Sequence, residues 1–140
     1  MNVFNNLFDY MKHVRQRPVD MLGAVSYTRL YCFFGGFRYG LFVYKDLIES
    51  DEARSVHLFT TMYDDFLTSR LGGTVAEKWD TTAQLVACVQ PGILEPCYSI
   101  IDPGLDERVF YKYFEIYDEF LKHNENNDHP RRRNRPEWYI

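Results

Sequence analysis

Four histidines, three cysteines and four pairs of adjacent acids are among the groups in this 140-residue chain able to bind a metal, attack a bond or move a proton. No two of His13, His57, His123 and His129 stand four apart, the spacing that brings two imidazoles to one helix face around a metal. There is no Cys-x-x-Cys. Cys32, Cys88 and Cys97 are odd in number and sit among apolar neighbours, which predicts buried, reduced thiols in place of a disulfide framework. Gly35-Gly36-Phe37-Arg38-Tyr39-Gly40 is glycine-rich but lacks the preceding strand and the lysine of a phosphate cradle, and no Gly-x-Ser-x-Gly elbow occurs. A site assembled from scattered groups such as His13, His57 and Asp65 has no support in spacing. The expectation is a chain that is not an enzyme and holds no metal or cofactor.

The acid pairs are Asp51-Glu52, Asp64-Asp65, Asp106-Glu107 and Asp118-Glu119. Neighbours on a helix point about 100° apart, so a pair does not converge on one substrate atom. The pairs read as solvated helix edges or as contacts for a basic partner. Asp46, Glu49, Asp51, Glu52, Asp64 and Asp65 lie close in sequence and form one acidic patch if the helix carrying the later ones folds back on its predecessor. That patch is the candidate partner-binding surface, with ordinary solvation as the competing reading.

The chain carries 16 basic and 20 acidic side chains, a net charge of −4. Residues 1–121 hold eleven basic against seventeen acidic, a balance of −6; residues 122–140 hold five against three, a balance of +2. An acidic body repels phosphate backbones, which argues against direct nucleic-acid binding, and it steers basic proteins toward itself. Arg131-Arg132-Arg133-Asn134-Arg135, beside Asp128 and Glu137, is too short a run for a nucleic-acid footprint. No apolar run approaches the roughly 18 residues that span a bilayer. Met1-Asn2-Val3-Phe4-Asn5-Asn6 has no basic region of a signal peptide, so the expectation is a cytoplasmic chain without a membrane partner.

With 46% hydrophobic and 17% aromatic residues the chain has material for one core. Phe4, Leu7, Phe8, Met11 and Val14 recur at helical spacing and predict an amphipathic helix that stops at Arg17-Pro18, with Gly23 in a turn. From Ser26, an N-cap residue, Tyr27, Leu30, Tyr31, Phe33, Phe34, Phe37 and Phe42 surround the axis and predict a buried central helix. Gly35, Gly36 and Gly40 each cost about 1 kcal/mol inside it, a cost that close approach of a neighbouring helix would explain. Two strands meeting at Gly35-Gly36 are the competing reading. Ser50-Asp51-Glu52 opens a third helix with Val56, Phe59, Tyr63, Phe66 and Leu67 inward, ended by Gly72-Gly73. Thr74-Val75-Ala76-Glu77 matches a capping box before a shorter helix holding Trp79, Ala83, Leu85 and Val86. Residues 90–104 are loop, and Asp102-Pro103 starts a last helix with Val109, Phe110, Tyr113, Phe114, Ile116, Tyr117, Phe120 and Leu121 inward. The sum is an all-α, single-domain bundle of about five helices over residues 1–123. A polar, then basic C-terminal tail over 124–140 closes on Trp138-Tyr139-Ile140.

Two stretches resemble a known pattern. Tyr10-Met11-x-x-Val14-x-x-Arg17-Pro18-x-x-Met21-Leu22-Gly23, with Leu30, Phe33 or Phe34, Gly36, Phe37 and Leu41 after it, is similar to the opening of a group of small bacterial immunity proteins. These are encoded beside polymorphic and contact-dependent growth-inhibition toxins. Trp79, then Asp106-Glu107-x-x-Phe110-x-x-Tyr113-Phe114-x-x-Tyr117-Asp118-x-Phe120, resembles the closing helix of the same group. The chain departs from the pattern at Val19-Asp20, at Leu22 where an aromatic leads, and at Phe37 in place of tyrosine. The resemblance implies a non-catalytic antitoxin without cofactor that occludes the C-terminal domain of a cognate toxin, often a nuclease, and it carries no binding residue across. The competing expectation is a regulatory or adaptor protein that reads a protein or nucleic-acid ligand through its C-terminal tail.

Overall fold

The spine of the molecule is its last helix, because that is where the apolar spacing is most regular. The computed structural model describes residues 7–43, 63–71 and 79–126; among these there are six helices and no strand, the all-α bundle expected. They are α1 (Leu7–Gln16), α2 (Pro18–Leu22), α3 (Tyr27–Val43), α4 (63–71), α5 (Thr81–Val89) and α6 (Pro103–Asn126). α6 begins where Asp102-Pro103 predicts, with the Asp102 carboxylate accepting from the backbone N–H groups of Gly104 and Leu105, both at 3.3 Å. At 1.5 Å per residue its 24 residues reach about 36 Å. Val109, Phe110, Tyr113, Phe114, Ile116, Tyr117 and Phe120 are all buried, so α6 packs on more than one side. They meet Met11 and Val14 of α1, Tyr27 and Leu30 of α3, Leu67 and Leu71 of α4, and Leu85 and Val86 of α5. Each such aliphatic or aromatic side chain contributes about 1.5–3 kcal/mol on leaving water.

α1 ends as the proline requires. Its last turn closes through Arg17 N–H to His13 C=O at 2.8 Å. Pro18 then opens a one-turn helix, α2, that the spacing did not reveal. α2 stops at Gly23, whose φ of +82° is left-handed and whose missing Cβ leaves room for the Arg29 guanidinium. That guanidinium donates to the Leu22 carbonyl at 2.8 Å and fastens the α2–α3 corner.

Ser26 caps α3, accepting from Arg29 N–H at 3.1 Å. A second cap comes from eighty residues away. Asp106 on α6 accepts from Thr28 N–H at 2.9 Å and from Thr28 Oγ1 at 2.8 Å, and it takes the Ser26 hydroxyl as well. One carboxylate thus ties the start of α3 to the first turn of α6.

Tyr27–Val43 is helix, which removes the two-strand alternative, but α3 is not the buried central helix expected. Its first turns pack on α6 through Tyr27 and Leu30, while Tyr31, Cys32, Gly35, Gly36 and Tyr39 are exposed. Among the described residues nothing lies within 4 Å of a Cβ built on Gly35, Gly36 or Gly40, so no described neighbour makes use of their bare backbone. Aromatics all round an axis signal burial only if neighbours arrive on every side; among the described residues, α6 meets Tyr27 and Leu30, and Tyr10 of α1 stacks on Phe33 at 4.6 Å, while Tyr31 and Tyr39 stay exposed. Cys32 is likewise exposed and Cys88 and Cys97 half-buried, against the expectation of buried thiols; all three are free.

The capping box Thr74–Glu77 lies outside the described residues, and α5 begins at Thr81. Its cap is Asp80, whose carboxylate accepts from Ala83 N–H at 2.8 Å. Trp79 therefore precedes the helix instead of lying in it, and its carbonyl accepts from the Gln84 side chain at 2.8 Å.

Candidate functional site

Four helices converge on a cleft of about 230 Å³. α3 contributes Tyr27, Leu30, Tyr31, Phe34 and Gly35 to its wall; α4 contributes Tyr63 and Asp64. Asp80, Thr81 and Thr82 at the start of α5 close another side, and Tyr113 of α6 completes it. The tyrosines touch one another: Tyr27 lies 5.6 Å from Tyr113 between ring centroids, and Tyr63 meets Tyr113 edge-on at 5.2 Å. Tyr31 stands 6.0 Å from Tyr27 at the rim, with about half its surface (56%) in solvent.

The hydroxyls in the wall have protein partners. Tyr63 donates to the Tyr113 carbonyl at 2.8 Å, and the Tyr27 and Thr82 hydroxyls lie 3.3 Å apart. Burial pushes the Tyr27 hydroxyl well above its ordinary range, and the nearby charges of Asp64 and Asp80 push the same way. Burial does the same to Tyr63. Both phenols are therefore neutral at physiological pH and offer no base to a reaction. Among the described residues, the cleft is lined by the carboxylates of Asp64 and Asp80 and by four tyrosine rings, with no basic side chain.

Two of the six acids of the expected patch, Asp64 and Asp65, fall within the described residues. Asp46, Glu49, Asp51 and Glu52 lie outside the described residues. Asp64 and Asp65 stand on α4 and diverge as neighbours on a helix must: Asp64 is half-buried at the cleft and Asp65 is exposed. Asp106, Asp118 and Glu119, three carboxylates of the later acid pairs, are occupied within the fold. Asp106 caps α3, Asp118 pairs with Arg15 of α1, and Glu119 accepts from Arg70 of α4 at 2.8 Å. The last two pairs are exposed and each is worth no more than about 1 kcal/mol, yet they fix where those carboxylates point.

Of the histidines, His13 is half-buried on α1 and His123 stands beside the Phe66 ring, centroids 5.7 Å apart. His57 and His129 lie outside the described residues. No group of three or more histidine, cysteine, aspartate or glutamate side chains is placed to hold a metal among the described residues. No helix among them is long and apolar enough to cross a membrane.

The spacing did not single out the cleft, because its walls come from residues 27–35, 63–64, 80–82 and 113, which only the packing brings together. Asp80 did carry a signal: an aspartate before Thr81-Thr82-Ala83 and an apolar run is an N-cap pattern. The chain matches no known protein family, no curated protein and no solved structure.

Proposed function

We propose that this chain is an immunity protein, an antitoxin that binds the C-terminal domain of a cognate bacterial toxin and covers its active-site groove. The reading is supported first by how the acids are divided. The body carries an excess of six negative charges over residues 1–121. Asp106, Asp118 and Glu119 of α6 are engaged within the fold, whereas Asp65 of α4 is exposed to solvent. Outward acids on a scaffold braced by its own ion pairs suit a basic groove such as a nuclease presents. The sequence likeness to immunity proteins points the same way.

In this mechanism charge sets the approach and packing sets the duration. Long-range attraction raises the association rate and is screened by salt, while aromatics and desolvated pairs at the contact slow dissociation. The test is rapid-mixing kinetics between the purified chain and the toxin domain encoded beside it. Raising salt from 50 to 300 mM is expected to lower the association rate at least tenfold and to leave dissociation nearly unchanged. A salt-independent association rate counts against electrostatic capture. Removing residues 127–140, beyond the end of α6, is expected to leave most of the binding. Loss of all binding on that truncation favours the tail-reading adaptor instead.

A further inference from the structure

We propose that the loop over residues 90–102, between α5 and α6, is an apolar anchor that enters a hydrophobic recess of a basic partner protein. This deepens the function proposed above and rests on it for the identity of the partner, the toxin domain.

The loop carries two sets of apolar side chains. Ile93, Cys97 and Ile100 pack against the core cluster. The residue after each is left in water: Leu94 is 93% exposed, Tyr98 58% and Ile101 90%. A single apolar side chain in solvent is ordinary on a protein surface, whereas a concentration of them marks a contact. Here three fall within eight positions, while the four other large hydrophobics exposed among the described residues are spread over α2, α3 and α6. The loop and both helices it joins lie in one unbroken described stretch, residues 79–126.

Its shape is set before a partner arrives. Pro91 and Pro96 each fix one backbone angle, and Gly92 turns the chain at a φ of +92°. The Cys97 thiol donates to the Ser99 carbonyl at 3.3 Å, across Tyr98. With the inward set pinned on the core, little chain entropy is lost when the outward set is covered, so a small apolar contact can hold.

Charge decides what the occupant is. Residues 90–107 hold Glu95, Asp102, Asp106 and Glu107 and no lysine or arginine. Asp106 is engaged in capping α3; Glu95, Asp102 and Glu107 are exposed. A loop that enters a membrane surrounds its apolar residues with basic ones, because the bilayer surface is anionic, and this loop does the opposite. A second copy of the chain would set the same acids against one another. A basic protein with an apolar recess satisfies both the side chains and the charges. Tyrosine is enriched among the residues that carry interface energy, which makes Tyr98 the anchor and Leu94 and Ile101 its seal against water.

The test measures association and dissociation of the full chain on the immobilised product of the neighbouring reading frame, the toxin candidate. Leu94→Ser with Ile101→Ser is expected to raise the dissociation rate at least tenfold and to change association less than threefold. Its thermal midpoint should not fall, since both side chains are already in water. Tyr98→Ala should raise dissociation at least threefold. Glu95→Lys with Glu107→Lys should instead slow association at least threefold at 50 mM salt. Tyr39→Ser, at an exposed position on α3, should alter neither rate more than twofold.

Binding that persists with unchanged dissociation in the Leu94→Ser, Ile101→Ser variant overturns the proposal. So does flotation of the wild-type chain with phosphatidylcholine vesicles, or a concentration-dependent dimer in sedimentation, if that variant abolishes it; the first favours a membrane and the second another copy. The two readings fail separately. A chain whose loop variant restores growth as well as the wild type keeps the function and loses the anchor. One that grips the candidate through the loop without restoring growth does the reverse, and one that does not bind the candidate loses both.

Discussion

α3 and α6 are both rich in aromatics, yet they fare differently in the fold. α6 buries Phe110, Tyr113, Phe114, Tyr117 and Phe120, while α3 leaves Tyr31 at 56% and Tyr39 at 70% exposure. The difference lies in arrangement, since the α6 rings recur at three and four residues along stripes that other helices cover. The α3 rings surround the axis, and among described residues only the early turns of that helix meet the core cluster. One helix is a spine. The other is fastened at its start, by Ser26 and Asp106, and turned outward beyond it.

The largest effect expected from this contrast is at Phe110, which is 1% exposed in the α6 core. Phe110→Ala should cost about 3–5 kcal/mol in chemical denaturation. A loss below about 1 kcal/mol would mean that α6 is not the spine.

Alkaline pH probes the junction of the two helices. Burial raises the Tyr27 and Tyr63 phenols above the value of 10.0 they have when unfolded. Their contribution is therefore intact below pH 10 and is lost as pH climbs past it, because the unfolded chain then releases protons that the folded one retains. At pH 11 the two together should cost about 3 kcal/mol. Tyrosinate absorbance from these two rings, read as the difference from a Tyr27→Phe, Tyr63→Phe variant, should rise together with loss of helical signal; its appearance well before unfolding would show that the rings are open to water.

Asp106→Ala removes the long-range cap on α3 and should cost about 2 kcal/mol. Asp106→Asn should recover part of that, since an amide oxygen can still accept from Thr28 N–H. The smallest effect is at the exposed Gly36, where a Cβ meets nothing described within 4 Å. Gly36→Ala should raise stability by up to about 1 kcal/mol. A loss there would show that this face of α3 is covered.

Much of the scaffold was legible in sequence. The regular stripe and the Asp102-Pro103 start announced α6, and Arg17-Pro18 announced the end of α1. Ser26 was read as a cap and is one. The surroundings of α3 were not legible, because a ring of aromatics states how much apolar surface a helix has and not how many neighbours will cover it. Asp106 looked like half of a solvated pair, since its role depends on Ser26 and Thr28, roughly eighty positions earlier. The cleft stayed hidden for the same reason: its tyrosines and carboxylates are distant in sequence and meet only on folding.

The most direct test of the proposed function is growth of cells expressing the product of the neighbouring reading frame, the toxin candidate, with and without this chain. The wild-type chain should restore growth, and Asp64→Lys with Asp65→Lys should lose most of that protection while keeping its thermal midpoint; Asp65→Lys alone, at an exposed position, should lose part of it. Undiminished protection by the double variant would contradict a role for the α4 acids, and no protection by the wild-type chain would contradict the immunity function itself.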